Sequence, residues 1–145
     1  MSASHAETML ALALRESERF RKIPEQEAAV PRAPGKWSRK EVLGHLIDSA
    51  LNNHQRFVRA QLADALDFPG YSQNEWVSSQ GYEQRNWADL VTLWEALNRH
   101  VAHVVARIPV DKLSVPCRIG SGAPVTLDAL VADYLRHVNH HLEQI

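Results

Sequence analysis

Apolar residues recur every three to four positions in four separate stretches of this chain, and each stretch predicts an amphipathic helix. The first follows Ser4 and runs to about Lys22, with Met9, Leu10, Ala13, Leu14 and Phe20 at helical spacing. Ser4 and Glu7 make a capping-box pattern at its start. A second capping box, Ser38 with Glu41, opens a helix to about Ala65 whose apolar face holds Leu43, Leu46, Ile47, Ala50, Phe57 and Val58. The third runs from Trp87 to Ile108, keeps Leu90, Leu93, Trp94, Leu97, Val101, Val104, Val105 and Ile108 in phase, and stops at Pro109. Thr126 caps the last, and Asp128 in its first turn complements the helix dipole. Its stripe centres on Tyr134, with Leu127, Leu130, Val131, Val138 and Ile145 nearby.

The connections carry their own signals. Pro24, Pro31, Pro34 and Gly35 mark a long link between the first two helices, and Pro69 with Gly70 ends the second. Residues 67–86 read as irregular, with Ser72 and Glu75 capping a short helix around Trp76. The Gly-Ser-Gly run at 120–122 predicts a short hairpin near 114–125. Strand signals are otherwise scarce. The expected fold is therefore all-α: a four-helix bundle of one domain, 1–145, whose long connections cross over the bundle or cover one end.

Composition narrows the function classes. With 16 basic and 17 acidic residues the formal net charge is −1, and no basic stripe argues for nucleic acid. A single cysteine, Cys117, excludes an internal disulfide and suits a reducing compartment. No signal peptide or membrane-spanning run is visible, so the expected location is the cytoplasm. Eight histidines in 145 residues direct attention to metal binding.

His137 and His141 stand four residues apart on the last helix, about one turn, so both imidazoles project from the same side. His141 falls inside the apolar stripe and His137 at its edge, while His140 points away. Such a pair is either two hydrogen-bonded core histidines or two nitrogen ligands of one ion. A catalytic zinc usually has three protein ligands and an open position. The third could come from His5, His45, His54, His100, His103, His140 or a carboxylate. On the second helix the apolar stripe selects His54 as the inward histidine, and His45, nine residues earlier, faces nearly the opposite way.

The segment GKWSRKEVLGHLIDSALNNHQRF resembles the first metal-ligand motif of the DinB/YfiT-like superfamily, and DYLRHVNHHLEQI resembles its His-x-x-x-His motif. YSQNEWV and PVTLDALVADY match in character and order between them, so the resemblance spans about Pro34 to Ile145. It implies a four-helix bundle holding a divalent metal, zinc or nickel, on His45, His137 and His141, with His54 and His140 outside the motif. It also implies a metal-dependent enzyme that activates a low-molecular-weight thiol such as bacillithiol, mycothiol or glutathione for transfer to a small electrophile. A metal-dependent hydrolase of a small amide or ester, or a metal-binding stress protein without turnover, are the alternatives. The resemblance further implies that the chain could pair as a homodimer, of which the sequence itself gives no direct sign.

Beside His45, Ser49, Asn52 and Arg56 make a polar row along the second helix. Asp48 could orient a ligand, cap a loop or be a solvent-facing acid. Tyr134, one turn before His137, could reach the site or be a buried tyrosine with an ordinary hydrogen bond. Asp48 and Tyr134 are thus the candidates for direct chemistry. Trp37 reads as a packing residue before a helix cap with a possible place in a pocket wall, and Glu75 and Trp76 lie in a segment that could close over the bundle end. Cys117 has no feature that would activate it as a nucleophile.

Overall fold

In the computed structural model, which describes residues 2–145, the four long helices are α1 (Ser2–Arg21), α3 (Arg39–Gln61), α5 (Trp87–Ala106) and α6 (Leu127–Leu142). Two short helices, α2 (Glu25–Ala28) and α4 (Gln73–Gln80), sit in the first two connections. Strands β1 (Leu66–Phe68), β2 (Pro116–Ile119) and β3 (Val125–Thr126) form a small sheet. The long helices close a ring of contacts: α1 packs on α5, α5 on α3, α3 on α6 and α6 back on α1. Helices consecutive in sequence, α1 with α3 and α5 with α6, therefore stand diagonally. The long links between them have to cross the bundle, which is why short turns do not suffice.

Local chemistry fixes the helix ends. Ser38 Oγ accepts from the Glu41 amide while Glu41 Oε1 accepts from the Ser38 amide, so this capping box is complete. Thr126 caps α6 through the Ala129 amide, and Asn86 caps α5 through the Asp89 amide. The capping box expected at Ser4 does not form. α1 begins at Ser2, so Ser4 lies inside the helix and its carbonyl accepts from Thr8 Oγ1. The buried face of α1 is also rotated from the expected one. Ala6, Met9, Leu12, Ala13 and Phe20 are buried, whereas Leu10 and Leu14 are exposed.

The hairpin is present, with Gly120 at φ +60° in its turn. Sequence pattern did not anticipate β1, which pairs in parallel with β2 through Leu66–Cys117, Asp67–Arg118 and Phe68–Ile119. Cys117 is thus a strand residue with no exposed surface, its Sγ 3.4 Å from the Val115 carbonyl. Burial pushes its thiol up from the ordinary range, which keeps it protonated. β1 follows α3 and β3 runs directly into α6, so the sheet ties the C-terminal end of α3 to the N-terminal end of α6. The two helices run antiparallel, and the first half of α3 meets the second half of α6.

α3 is the central element. Every residue from Val42 to Ala50 is buried, because α5, α6, α4 and the 3₁₀ turn Tyr82–Gln84 cover it on several sides. Gly44 lies in this run because the Tyr82 ring occupies the space a Cβ would fill. Among the described residues no helix is long and apolar enough to cross a membrane.

Candidate metal centre

Because α3 is covered on several sides, His45 is enclosed and only 1 % exposed. From α6, His137 and His141 project toward it one turn apart. The three rings meet nearly edge to face: His45 and His137 at 78°, His45 and His141 at 75°, His137 and His141 at 72°. One ligand-capable nitrogen from each lies within 4.8 Å of the other two. His45 Nε2 and His137 Nε2 are 3.1 Å apart. Two imidazole nitrogens bound at about 2.0–2.1 Å to one tetrahedral ion would be separated by about 3.4 Å. The residues present therefore fit a divalent transition ion without large movement.

Neighbouring groups orient two of the imidazoles. Gln144 Oε1 lies 2.8 Å from His141 Nδ1, and a carbonyl oxygen can only accept, so that nitrogen carries the proton and Nε2 keeps its lone pair. Ser49 Oγ is 3.5 Å from His137 Nδ1, at the long limit of a hydrogen bond. Such partners commonly fix the tautomer and direction of metal-bound histidines. The Trp37 ring packs over His45 at 5.3 Å and helps hold it.

The site also disfavours protons. Burial, and then the neighbouring His141 and His137, lower His45 from its ordinary 6.5 to about 3. Burial, then His141 and His140, lower His137 to about 4. Imidazoles must be neutral to bind a metal, so this environment favours the ligand form. It also makes the stability of metal-free protein depend on pH. Between pH 6.5 and these lowered values the unfolded chain binds protons that the folded chain refuses, so stability rises with pH there. The urea midpoint of chelator-treated protein should be flat above about pH 7 and fall as pH drops from 6.5 toward 4. The fall should be smaller in His45→Gln, which removes one of the two groups; an equal fall in both proteins would contradict the assignment.

A cavity of about 600 Å³ opens beside the cluster, lined by His141, Trp37 and Gln144 together with Arg32, Lys36, Gln73 and Asn74. Trp37 is therefore a wall residue as well as a packing one. Of the other sequence candidates, Asp48 is fully buried. Its Oδ1 accepts from Tyr82 Oη at 2.6 Å and Gln80 Nε2 at 2.8 Å. Burial raises its pKa, opposed by those two hydrogen bonds. It fastens the segment after α4 to α3 and is not the solvent-facing acid that was the alternative. Tyr134 is buried, and its hydroxyl donates to Asn98 Oδ1 at 2.5 Å, the ordinary buried-tyrosine arrangement. Burial, reinforced by Tyr71, raises its pKa, so it remains a phenol.

His54, which the single apolar stripe selected, is only half-buried and stands beside His100, ring centres 5.2 Å apart, away from the cluster. His5 lies near Asp128, at 3.8 Å, and His103 beside His100. His140 is exposed; its ring packs on that of His141, 5.1 Å between centres, and its charge is felt at His137. Sequence reasoning did not single out Gln144 or Arg32 and Lys36. Gln144 is signalled by its spacing, three residues beyond His141; the two cations sit in an irregular loop whose path the pattern does not specify.

The family model of the DinB superfamily matches residues 14–145, most of the chain. The chain belongs to the DinB superfamily. This DinB chain is 26 % identical over 109 residues to BH0277 of Halalkalibacterium halodurans, whose name provisionally assigns it as a metal-dependent hydrolase. The match covers 75 % of this chain and the chain spans 63 % of that relative's length. The fold is similar to that of YfiT from Bacillus subtilis, described as a probable metal-dependent hydrolase with an unusual four-helix bundle topology. That likeness has a TM-score of 0.84 at 15 % identity and covers 97 % of this chain and 81 % of YfiT. The mycothiol-dependent maleylpyruvate isomerase is similar at a TM-score of 0.73 and 18 % identity, over 94 % of this chain and 59 % of that one. At these identities the two structures speak to the fold alone.

Proposed function

We propose that this DinB-superfamily chain is a metal-dependent enzyme in which His45, His137 and His141 hold a divalent transition ion, zinc or nickel. Its reaction is transfer of a low-molecular-weight thiol to a small electrophile. The observation that carries the reading is the convergence of three imidazoles, from two antiparallel helices, beside a roomy cavity. Zinc and nickel both suit imidazole nitrogen. A divalent ion held there with an open position would make a thiol acidic enough to be deprotonated near neutral pH.

The chain's own residues would do the rest. Gln144 and Ser49 orient the imidazoles of His141 and His137. Arg32 and Lys36 give the cavity a positive wall that suits the carboxylates common on small thiols. Trp37 supplies an apolar surface against which an electrophile can pack. In the reaction the sulfur–carbon bond forms, the bond from carbon to its leaving group breaks, and the thiol proton passes to solvent.

The name of BH0277 favours a second reading, a metal-dependent hydrolase with the same three ligands. The two separate in one experiment on zinc-loaded protein. One mixture holds bacillithiol and 1-chloro-2,4-dinitrobenzene; the other holds 4-nitrophenyl acetate without thiol. Metal-dependent loss of thiol with equal release of chloride is the expected result. Ester cleavage without thiol consumption would assign the hydrolase, and no turnover in either would leave a metal-binding protein.

A further inference from the structure

A second, smaller cavity of about 190 Å³ lies between α3 and α6, lined by Ser49, Asn53 and Arg56 from the first, His137 and Asp133 from the second, and Tyr71. Arg56 stands out in it. The residue is 8 % exposed, and an arginine stays protonated in any protein environment. A buried charge is costly without a partner. The other buried cation among the described residues, at the far end of α3, shows the usual solution: Lys40, 5 % exposed, has Glu25 Oε1 at 3.1 Å. Arg56 has no such ion pair among the described residues. Its one hydrogen bond, Nη1 to Asn53 Oδ1, is 3.5 Å long, and its Nε is buried with no acceptor. Asp133, on the same cavity wall, is exposed and pairs with Arg136. The guanidinium carbon lies 5.4 Å from the centre of the Phe68 ring, a cation–π contact that supplies no counter-charge. Apart from the long bond to Asn53, the N–H donors of Arg56 have no acceptor among the described residues.

From these observations we infer that Arg56 binds a carboxylate, and that this cavity takes the acid end of a small substrate. A carboxylate presents two oxygens in one plane and matches the guanidinium fork, which a point cation would not do as well. At about 30 Å³ per water, the cavity holds roughly six waters, enough for a carboxylate and two or three carbons. Because the same cavity reaches His137, an acid held on Arg56 extends toward the three-histidine cluster. The assignment of this acid as substrate rests on the function proposed above; the anion site itself does not.

The test uses propionate and its neutral isostere propionamide, titrated into zinc-loaded and chelator-treated full-length protein. The Arg56 Nε–H resonance and calorimetry report binding. Propionate should shift that resonance saturably in both forms, and propionamide should bind at least about tenfold more weakly. Arg56→Met should abolish binding while leaving zinc content unchanged, and Arg56→Lys should weaken it by about tenfold or more. No shift in the wild-type resonance up to about 50 mM propionate would overturn the inference, whether or not the variants fold. So would binding that disappears with the zinc and survives in Arg56→Met, which marks coordination to the ion. Sulfate binding as tightly as propionate would overturn the carboxylate assignment. If zinc does not bind but propionate still moves the Arg56 resonance, the proposed function fails and the anion site stands.

Discussion

His45→Ala protein is expected to emerge from purification with essentially no bound transition metal, while His54→Ala retains the wild-type amount. The two residues share a helix and a chemistry, but only His45 has nitrogens that meet those of His137 and His141. Even changes in groups that merely orient a ligand commonly cost ten- to a hundredfold in affinity, so removing a ligand should cost at least about a hundredfold. The measurements are elemental analysis of the purified proteins and zinc titration of the chelator-treated ones. Circular dichroism should show both variants equally helical. Metal retained by His45→Ala and lost from His54→Ala would reverse the assignment of the third ligand.

Gly44→Ala is expected to be the most damaging single methyl group in the chain. Its Cβ would collide with Cγ and Cδ2 of Tyr82, whose ring is 3 % exposed and cannot simply swing into solvent. Overpacking of this kind costs about 1–3 kcal/mol. Displacing the ring would also break the 2.6 Å bond from Tyr82 Oη to the buried Asp48, adding about 1–3 kcal/mol for the carboxylate left short of a donor. A fall of roughly 2–5 kcal/mol in urea-unfolding free energy is the expected outcome. In a Tyr82→Ala background the same glycine substitution should cost much less, because the clash is gone. Equal costs in both backgrounds would place the strain elsewhere.

The long helices were legible from sequence because each keeps one apolar stripe and most carry a recognisable cap. Ser38 with Glu41, and Thr126, behave as their spacing predicts. Ser4 does not, because the helix continues two residues before it and a capping pattern has no effect inside a helix. β1 was illegible for a different reason. It has three residues and gains its identity only by pairing with β2, some fifty positions later, which no local pattern records.

The inward placement of His45 was likewise hidden from periodicity. A single stripe describes a helix with one covered face, and α3 between Val42 and Ala50 has no uncovered one. Polar residues there, His45, Asp48 and Ser49, look on a helical wheel like a solvent face. Only the motif resemblance pointed to His45. The physical reason for its burial is what covers the helix: α4, the turn at Tyr82, α5 and α6 all pack on it. Arg56 belongs to the same polar row and was passed over as part of it.

The three-stranded sheet, which first looks like an ornament at the edge of a helical protein, fastens α3 to α6 at the end remote from the imidazoles. His45 is sixteen residues from the end of α3 and His137 ten from the start of α6, so the joint lies about 15–24 Å from the rings. The pair of helices resembles tweezers, riveted at one end and closing three nitrogens at the other. The gap between the tips is then a lever-arm copy of the strand register, and a slip at Leu66–Cys117 or Cys117–Val125 would be felt as misplaced nitrogens with no change in any residue near them.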